Sequence, residues 1–441
     1  MMRSLYSAVS GLKAHQTRMD VIGNNIANVN TVAYKSQSMT FTEVFYQTTQ
    51  TASGPNAETG KGGTNAQQIG LGSSVGAIST AISTEGAAER TDNPYDLKIT
   101  GDSFFIVRNS GNTYFTRAGN FTVDSSGALV TAGGANVMGW QVDKDGTVVK
   151  DVVSPLYVTS PEFTYTSPER TGAVSLTGNI NASSKDTTTT TLNFYDSLGN
   201  SFQATVNLVY AGVAGDNTQY TIEPVSISMN GQPTDLTLSA SGPLSFNTLT
   251  GLADAGNAAI ELTLSTDATL SQTNVNVDLR TVGKDENTPV ITLDGSGITM
   301  YADNTSLKGS MGIDGKDAGK AVGKMTSVGI DSSGCIVASY SNGDTKTIGQ
   351  IAVTSFANPE GLKKEGDNLY SATLNSGTFD GIGVDISSND GSISSGVLEM
   401  SNVDLSAQFT TMITTQRGYQ ANSRIITVSD SMLEELINLK R

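Results

Sequence analysis

The chain has 441 residues, with 26 Lys and Arg against 42 Asp and Glu, and a formal net charge of −16. That balance excludes a general nucleic-acid binder, which needs a basic face against phosphates. A single cysteine, Cys335, excludes a disulfide framework, and a single histidine, His15, excludes a zinc site built on clustered histidines.

Hydrophobic residues make up 37% and charged residues 15% of the chain, both below the averages of about 45–50% and about 25%. Gly, Thr, Ser and Asn fill the difference, as in a β-rich, turn-rich structural or surface protein. The length suggests about three domains. No apolar run approaches the roughly 20 residues of a membrane helix, so no membrane insertion is expected. Residues 1–30 lack the apolar core of a secretory signal, about 7–15 residues long. The expectation is a cytoplasmic protein, or export by a route that needs no cleaved signal.

The two ends read as helices. All ten prolines lie between Pro55 and Pro359; residues 1–35 hold only Gly11 and Gly23, and residues 403–441 only Gly418. Since both residues break helices, the ends are free to be helical. At the N-terminal end Leu5, Ala8, Leu12, His15, Met19, Ile22, Ile26 and Val29 recur at steps of three and four, the period of a coiled-coil seam. His15 falls on this seam and reads as a polar register position.

The stretch 36–69 reads as a connector, and residues 54–76, rich in Gly, Thr, Asn and Gln, as extended or mobile chain. The middle then reads as strands and turns. One hairpin is expected over 114–130, turning at Asp124-Ser125-Ser126-Gly127. In a second, Leu192 and Phe194 precede the turn 196–200, and Phe202, Ala204, Val206, Leu208 and Tyr210 alternate after it. A third turns at Asn342-Gly343, a favoured two-residue hairpin loop. The threonine-rich stretch 183–191 reads as a solvated edge or loop. Trp140 reads as core or, failing that, as a subunit contact. Cys335, at the head of an alternating run, reads as a small buried hydrophobe.

The C-terminal end repeats Leu405, Met412, Tyr419, Ile426 and Leu433 at spacing seven, widened by Phe409, Ile413, Leu436 and Ile437. A lone amphipathic helix cannot bury its stripe. The partner is either the opposite end of the same chain or a neighbouring subunit. A membrane surface would want a broad basic face, whereas residues 403–441 carry four acids and four bases. Asn24, Asn25 and Asn28 are too polar for a seam; they cap the helix end or bond a neighbour's backbone.

The terminal runs carry a resemblance. Met19-Asp20-Val21-Ile22-Gly23-Asn24-Asn25-Ile26-Ala27-Asn28, ending at Tyr34-Lys35, resembles the N-terminal signature of the bacterial flagellar rod and hook axial proteins. Leu398-Glu399-Met400-Ser401-Asn402-Val403-Asp404-Leu405, with Gln416, Arg417, Tyr419 and Asn422, is similar to that family's other end. The runs 193–200 and 340–370 narrow the resemblance to its hook members.

The resemblance implies a fold that is mainly β with α-helical termini. The architecture is nested and multi-domain, with paired coiled-coil-like terminal helices and two β-rich domains. Residues 1–35 and 400–441 would form a helical inner-tube domain, and 36–69 a connector. Residues 70–145 and 318–395 would form a first β domain, and 146–317 an inserted outer one.

It also implies a structural subunit of a flexible, self-assembling helical tube that transmits torque from rod to filament. The implied partners are further copies of the chain, the rod, the hook cap, the hook–filament junction proteins and the flagellar type III export apparatus. The alternatives are a distal rod or junction axial protein or, in another class, a β-rich surface adhesin.

The candidate self-assembly residues are Leu5, Leu12, Met19, Ile22, Ile26, Val29, Leu405, Phe409, Met412, Tyr419, Ile426 and Leu433. The family-motif residues are Asn24, Asn25, Asn28, Gln416, Arg417, Tyr419 and Asn422. No catalytic, cofactor or metal site is expected: Asp314, Asp317 and Asp331 sit among glycines as turn residues, and no run matches a calcium loop or a phosphate loop.

Overall fold

The computed structural model describes residues 2–55, 60–143, 146–234, 236–254, 256, 258–266, 279–284 and 289–439. Helix α1 spans Met2–Ala27 and helix α2 spans Leu405–Asn438. Their 26 and 34 residues correspond to about 39 and 51 Å of helix. The start of α2 is set by Asp404, whose carboxylate accepts the Ser406 and Ala407 amides at 2.9 and 3.2 Å, satisfying two of the orphan donors of the first turn. At the end of α1 the Asn28 side chain donates to the Asn24 carbonyl at 2.9 Å.

The chain divides into two compact units: residues 1–160, 328–338 and 346–441, and residues 161–327 and 339–345. The expected boundary at 145/146 is earlier than the observed one at 160/161. Residues 146–160 stay with the first unit because they pair back onto it. Met138 and Gly139 pair with Pro155 and Ser154, and the Leu156 amide donates to the Val137 carbonyl at 3.1 Å.

In the first unit, residues 36–69 are not an unpaired linker (56–59 lie outside the described residues). Strand β1 (Gln37–Glu43) pairs antiparallel with β4 (Ser73–Thr80), and β2 (Tyr46–Gln50) with β3 (Gln67–Gly70). Both faces of β2 and β3 are exposed, which is why no alternation marks them in the sequence. Further on, β5 (Ala88–Arg90) pairs with Val397–Glu399, and β6 (Leu97–Thr100) with Ser392–Ser395. The framework is β7 (Phe104–Asn109) between β8 (Asn112–Thr116) and Asn136–Gln141. Its core holds Phe104, Ile106, Phe115, Met138, Trp140 and Tyr370. Trp140 is core: its indole N–H donates to the Asp151 and Ile382 carbonyls at 2.9 and 3.0 Å.

The second unit is built from two five-stranded sheets over one core. The hairpin Thr188–Tyr195 with Ser201–Ala214 turns where Asp196 accepts the Leu198 and Asn200 amides. Phe194 and Phe202 stack 5.1 Å apart, and Phe202, Ala204, Val206 and Leu208 are all fully buried, as their alternation requires. The turn at Asn342-Gly343 forms, with Gly343 at φ 86° and its amide donating to the Tyr340 carbonyl at 3.0 Å.

Cys335 departs from its reading as a buried hydrophobe. Along Cys335–Tyr340 burial alternates so that Ile336, Ala338 and Tyr340 face inward and Cys335 is half-buried on the other side. Its sulfur accepts the Ser333 hydroxyl at 3.3 Å, and burial pushes the thiol above its ordinary range, which disfavours the reactive thiolate.

Candidate functional site

The two helices of the first unit pack against each other, and most of the residues they bury are small or polar. The buried residues of α1 are Ala8, Gly11, Ala14, Val21, Ile22 and Asn25; those of α2 are Thr415 and Ser429. Three pairs fix an antiparallel register. A Cβ at Gly11 would meet Asn422 Nδ2 at 2.7 Å, and a Cβ at Gly418 would meet the His15 ring at 2.7 Å. The Asn25 amide donates to Gln408 Oε1 at 3.2 Å. Each step along α1 is matched by an equal step back along α2, so each glycine makes room for a polar side chain on the facing helix. The His15 ring also lies 5.2 Å from Phe41 of β1. Burial, with Arg18 nearby, holds its pKa below the usual 6.5.

The expected self-assembly residues therefore fall into two sets. Ile22 is buried in the pair, while Leu5, Leu12, Met19, Ile26 and Val29 are half-buried. On α2, Met412, Ile426 and Leu433 are half-buried, whereas Leu405, Phe409 and Tyr419 are exposed. Exposure reaches 50% at Phe409, 58% at Ile413, 56% at Val428 and 69% at Ile437. With 3.6 residues per turn, Leu405, Phe409 and Ile413 lie on one side of the Thr415–Ser429 line. Ile425, Val428 and Met432 lie on the other. Helix α2 thus presents two separate apolar flanks, one on each side of the face that holds Thr415 and Ser429. No described helix is long and apolar enough to cross a membrane.

Of the motif residues, Asn25 is fully buried and fully bonded. Its amide donates to the Gln37 carbonyl at 2.8 Å as well as to Gln408, and its oxygen accepts the Gln37 amide at 2.9 Å and the Tyr34 hydroxyl at 3.3 Å. One side chain thereby ties α1, β1 and the root of α2. Asn24 donates to the Tyr34 hydroxyl at 3.1 Å, Asn28 caps α1, and Asn422 fills the space opposite Gly11. Gln416 and Arg417 are exposed.

The sequence reading missed the charged cluster beneath this junction. The Lys35 ammonium lies 2.8 Å from Glu399 Oε1, and Arg117 Nη1 lies 3.8 Å from Glu399 Oε2. Two members sit inside the terminal motifs, at Tyr34-Lys35 and Leu398-Glu399.

Helices at both ends of one chain pair with each other, the arrangement that the resemblance of the terminal runs to flagellar axial proteins implies. Three family models match. They are described as flagella basal body rod protein over residues 5–35, flagellar hook protein FlgE/F/G D1 domain over 98–182, and flagellar basal body rod FlgEFG protein C-terminal over 394–439.

The flagellar hook protein FlgE of Borreliella burgdorferi is 38% identical, and that of Treponema pallidum 33%, each alignment covering 100% of both chains. The basal-body rod protein FlgG of Bacillus subtilis is 30% identical, also over 100% of both. The chain belongs to the flagellar hook protein family and is a structural subunit of the hook. Its hook relatives are structural proteins rather than enzymes.

Proposed function

We propose that the subunit polymerises by setting the two exposed flanks of α2 against two different neighbouring copies. The observation that carries this reading is the division of α2: Thr415 and Ser429 are buried, and the large apolar residues Phe409 and Ile413 on one flank and Val428 and Met432 on the other are left in water. Two unlike flanks make heterologous contacts, and contacts of that kind that do not close into a ring generate an open helical polymer.

In this arrangement the helices, residues 1–35 and 400–441, line an inner tube. The β-rich residues between them lie outside that tube. Dry helical contacts hold the tube while wet β surfaces slide as it bends, which suits torque transmission from rod to filament. Family membership supports export by the flagellar type III apparatus to a place outside the cell. It equally supports contacts with the rod, the hook cap and the hook–filament junction proteins.

The test is the double substitution Phe409→Asp with Ile413→Asp, scored by electron microscopy of polymerised protein and by the thermal transition of the second unit. The expected result is no polymer with that transition unmoved. Polymer at the parent's yield would refute the assignment of this flank.

A further inference from the structure

Three charged side chains meet in the interior of the first unit, with Lys35 and Arg117 each 1% exposed and Glu399 0% exposed. They come from three separate segments: the turn after α1, the end of β8, and the strand leading into α2. Lys35 donates to Glu399 Oε1 at 2.8 Å and to the Thr84 carbonyl at 2.6 Å. The Gly86 amide donates to the same Oε1 at 2.9 Å, and Arg117 reaches the Gly101 carbonyl.

The backbone closes around the cluster. The Ala33 amide donates to the Glu399 carbonyl at 2.7 Å, and the Met400 amide to the Ala87 carbonyl at 2.8 Å. Asn402 accepts the Ser36 amide at 2.7 Å and donates to the Ala81 and Thr84 carbonyls at 2.9 and 3.1 Å. The approach is so close that a Cβ at Gly86 would stand 1.8 Å from the Met400 carbonyl oxygen.

We propose that Glu399 is a positioning residue that orders the two ends of the chain together: it is the shared counter-charge that lets the segment after α1 and the segment before α2 dock on the β framework only as a pair. The charge arithmetic carries the argument. Two cations are buried against one buried anion; Glu85 also faces both, but its side chain is a third exposed and holds Lys98 at 3.3 Å. Without Glu399, Lys35 and Arg117 face each other with no buried counter-charge, and a buried charge that has lost its partner is strongly destabilising. Without Lys35, one anion still meets one cation. The cluster therefore predicts an asymmetry that ordinary packing does not: the glutamate is indispensable, the lysine is not, and losing the lysine relieves the loss of the glutamate. Burial, with Arg117 nearby, holds the Lys35 ammonium below its ordinary pKa, and Glu399 opposes that shift. This inference stands apart from the polymerisation reading, since it concerns a single subunit.

The experiment is amide hydrogen exchange on the full chain as E399Q, K35M and the double variant K35M/E399Q. In E399Q the amides of Ala33, Ser36, Gly86 and Met400 should exchange at least about tenfold faster, with those of Phe105 and Val107 unchanged. K35M should change them less than E399Q, and the double variant should exchange more slowly than E399Q. Should E399Q fail to fold, the double variant must recover folding. Exchange in E399Q within about twofold of the parent would overturn the proposal, as would a double variant no better than E399Q.

Discussion

The sandwich of the second unit and the helix pair of the first use their apolar residues in opposite ways. The sandwich turns its large side chains inward: Phe202, Val206, Leu208, Leu244 and Phe246 are all 0% exposed. The helix pair buries Gly11, Ala14, Thr415 and Ser429 and leaves Phe409, Ile413 and Val428 in water. A core of the first kind is complete within one chain. The second is an unfinished core, and its stability is completed by whatever covers it.

The largest effect that would sharpen this contrast comes from the sandwich. Phe202→Ala should cost that unit about 3–5 kcal/mol, read as a drop in its denaturant midpoint, with exchange in α1 and α2 unmoved. Loss of protection in the helices as well would merge the two regions into one cooperative core. A middle-sized effect comes from the seam. Gly418→Ala places a methyl against the His15 ring, and overpacking of this kind costs about 1–3 kcal/mol. It should loosen the helix pair alone, and exchange at Asn25 and Gln408 reads it.

The smallest effect is acid. The His15 pKa is lowered in the fold by burial, so its contribution is present above the unfolded value near 6.5 and is lost as pH falls through the folded value. Between pH 7 and 5 the helix pair should weaken and the sandwich should not. A His15 titration midpoint above 6.5 by NMR would contradict this sign.

These contrasts also explain what could be read in the sequence. Both helices were legible because Pro is absent and Gly nearly absent from the ends while apolar residues recur at helical spacing. The hairpin turning at Asp196 was legible because Phe202 to Leu208 alternate strictly. The inward face of the helices was not. Apolar periodicity reports every surface a helix covers, whereas much of what the helices bury is Gly, Ala, Thr and Ser, which carry little hydropathy.

The paired strands β2 and β3 went unread because both their faces are wet. Cys335 was placed on the wrong side of its strand, since alternation gives a period but not which residues point inward. The Lys35–Glu399 contact joins positions 364 residues apart, and no local pattern registers such a pair. Asn25 was singled out for its polarity amid an apolar run, yet its four bonds depend on Tyr34, Gln37 and Gln408 being brought together by the fold.

The central claim is that the helix pair is an unfinished core completed by other copies of the chain. Amide exchange of free subunit and polymer measures it directly. The account predicts that amides across Leu405–Asn438 gain at least about tenfold protection on polymerisation, while those of Phe202 to Leu208 in the sandwich stay where they are. Equal protection of α2 in subunit and polymer would mean that the exposed flanks remain uncovered, and would contradict the account.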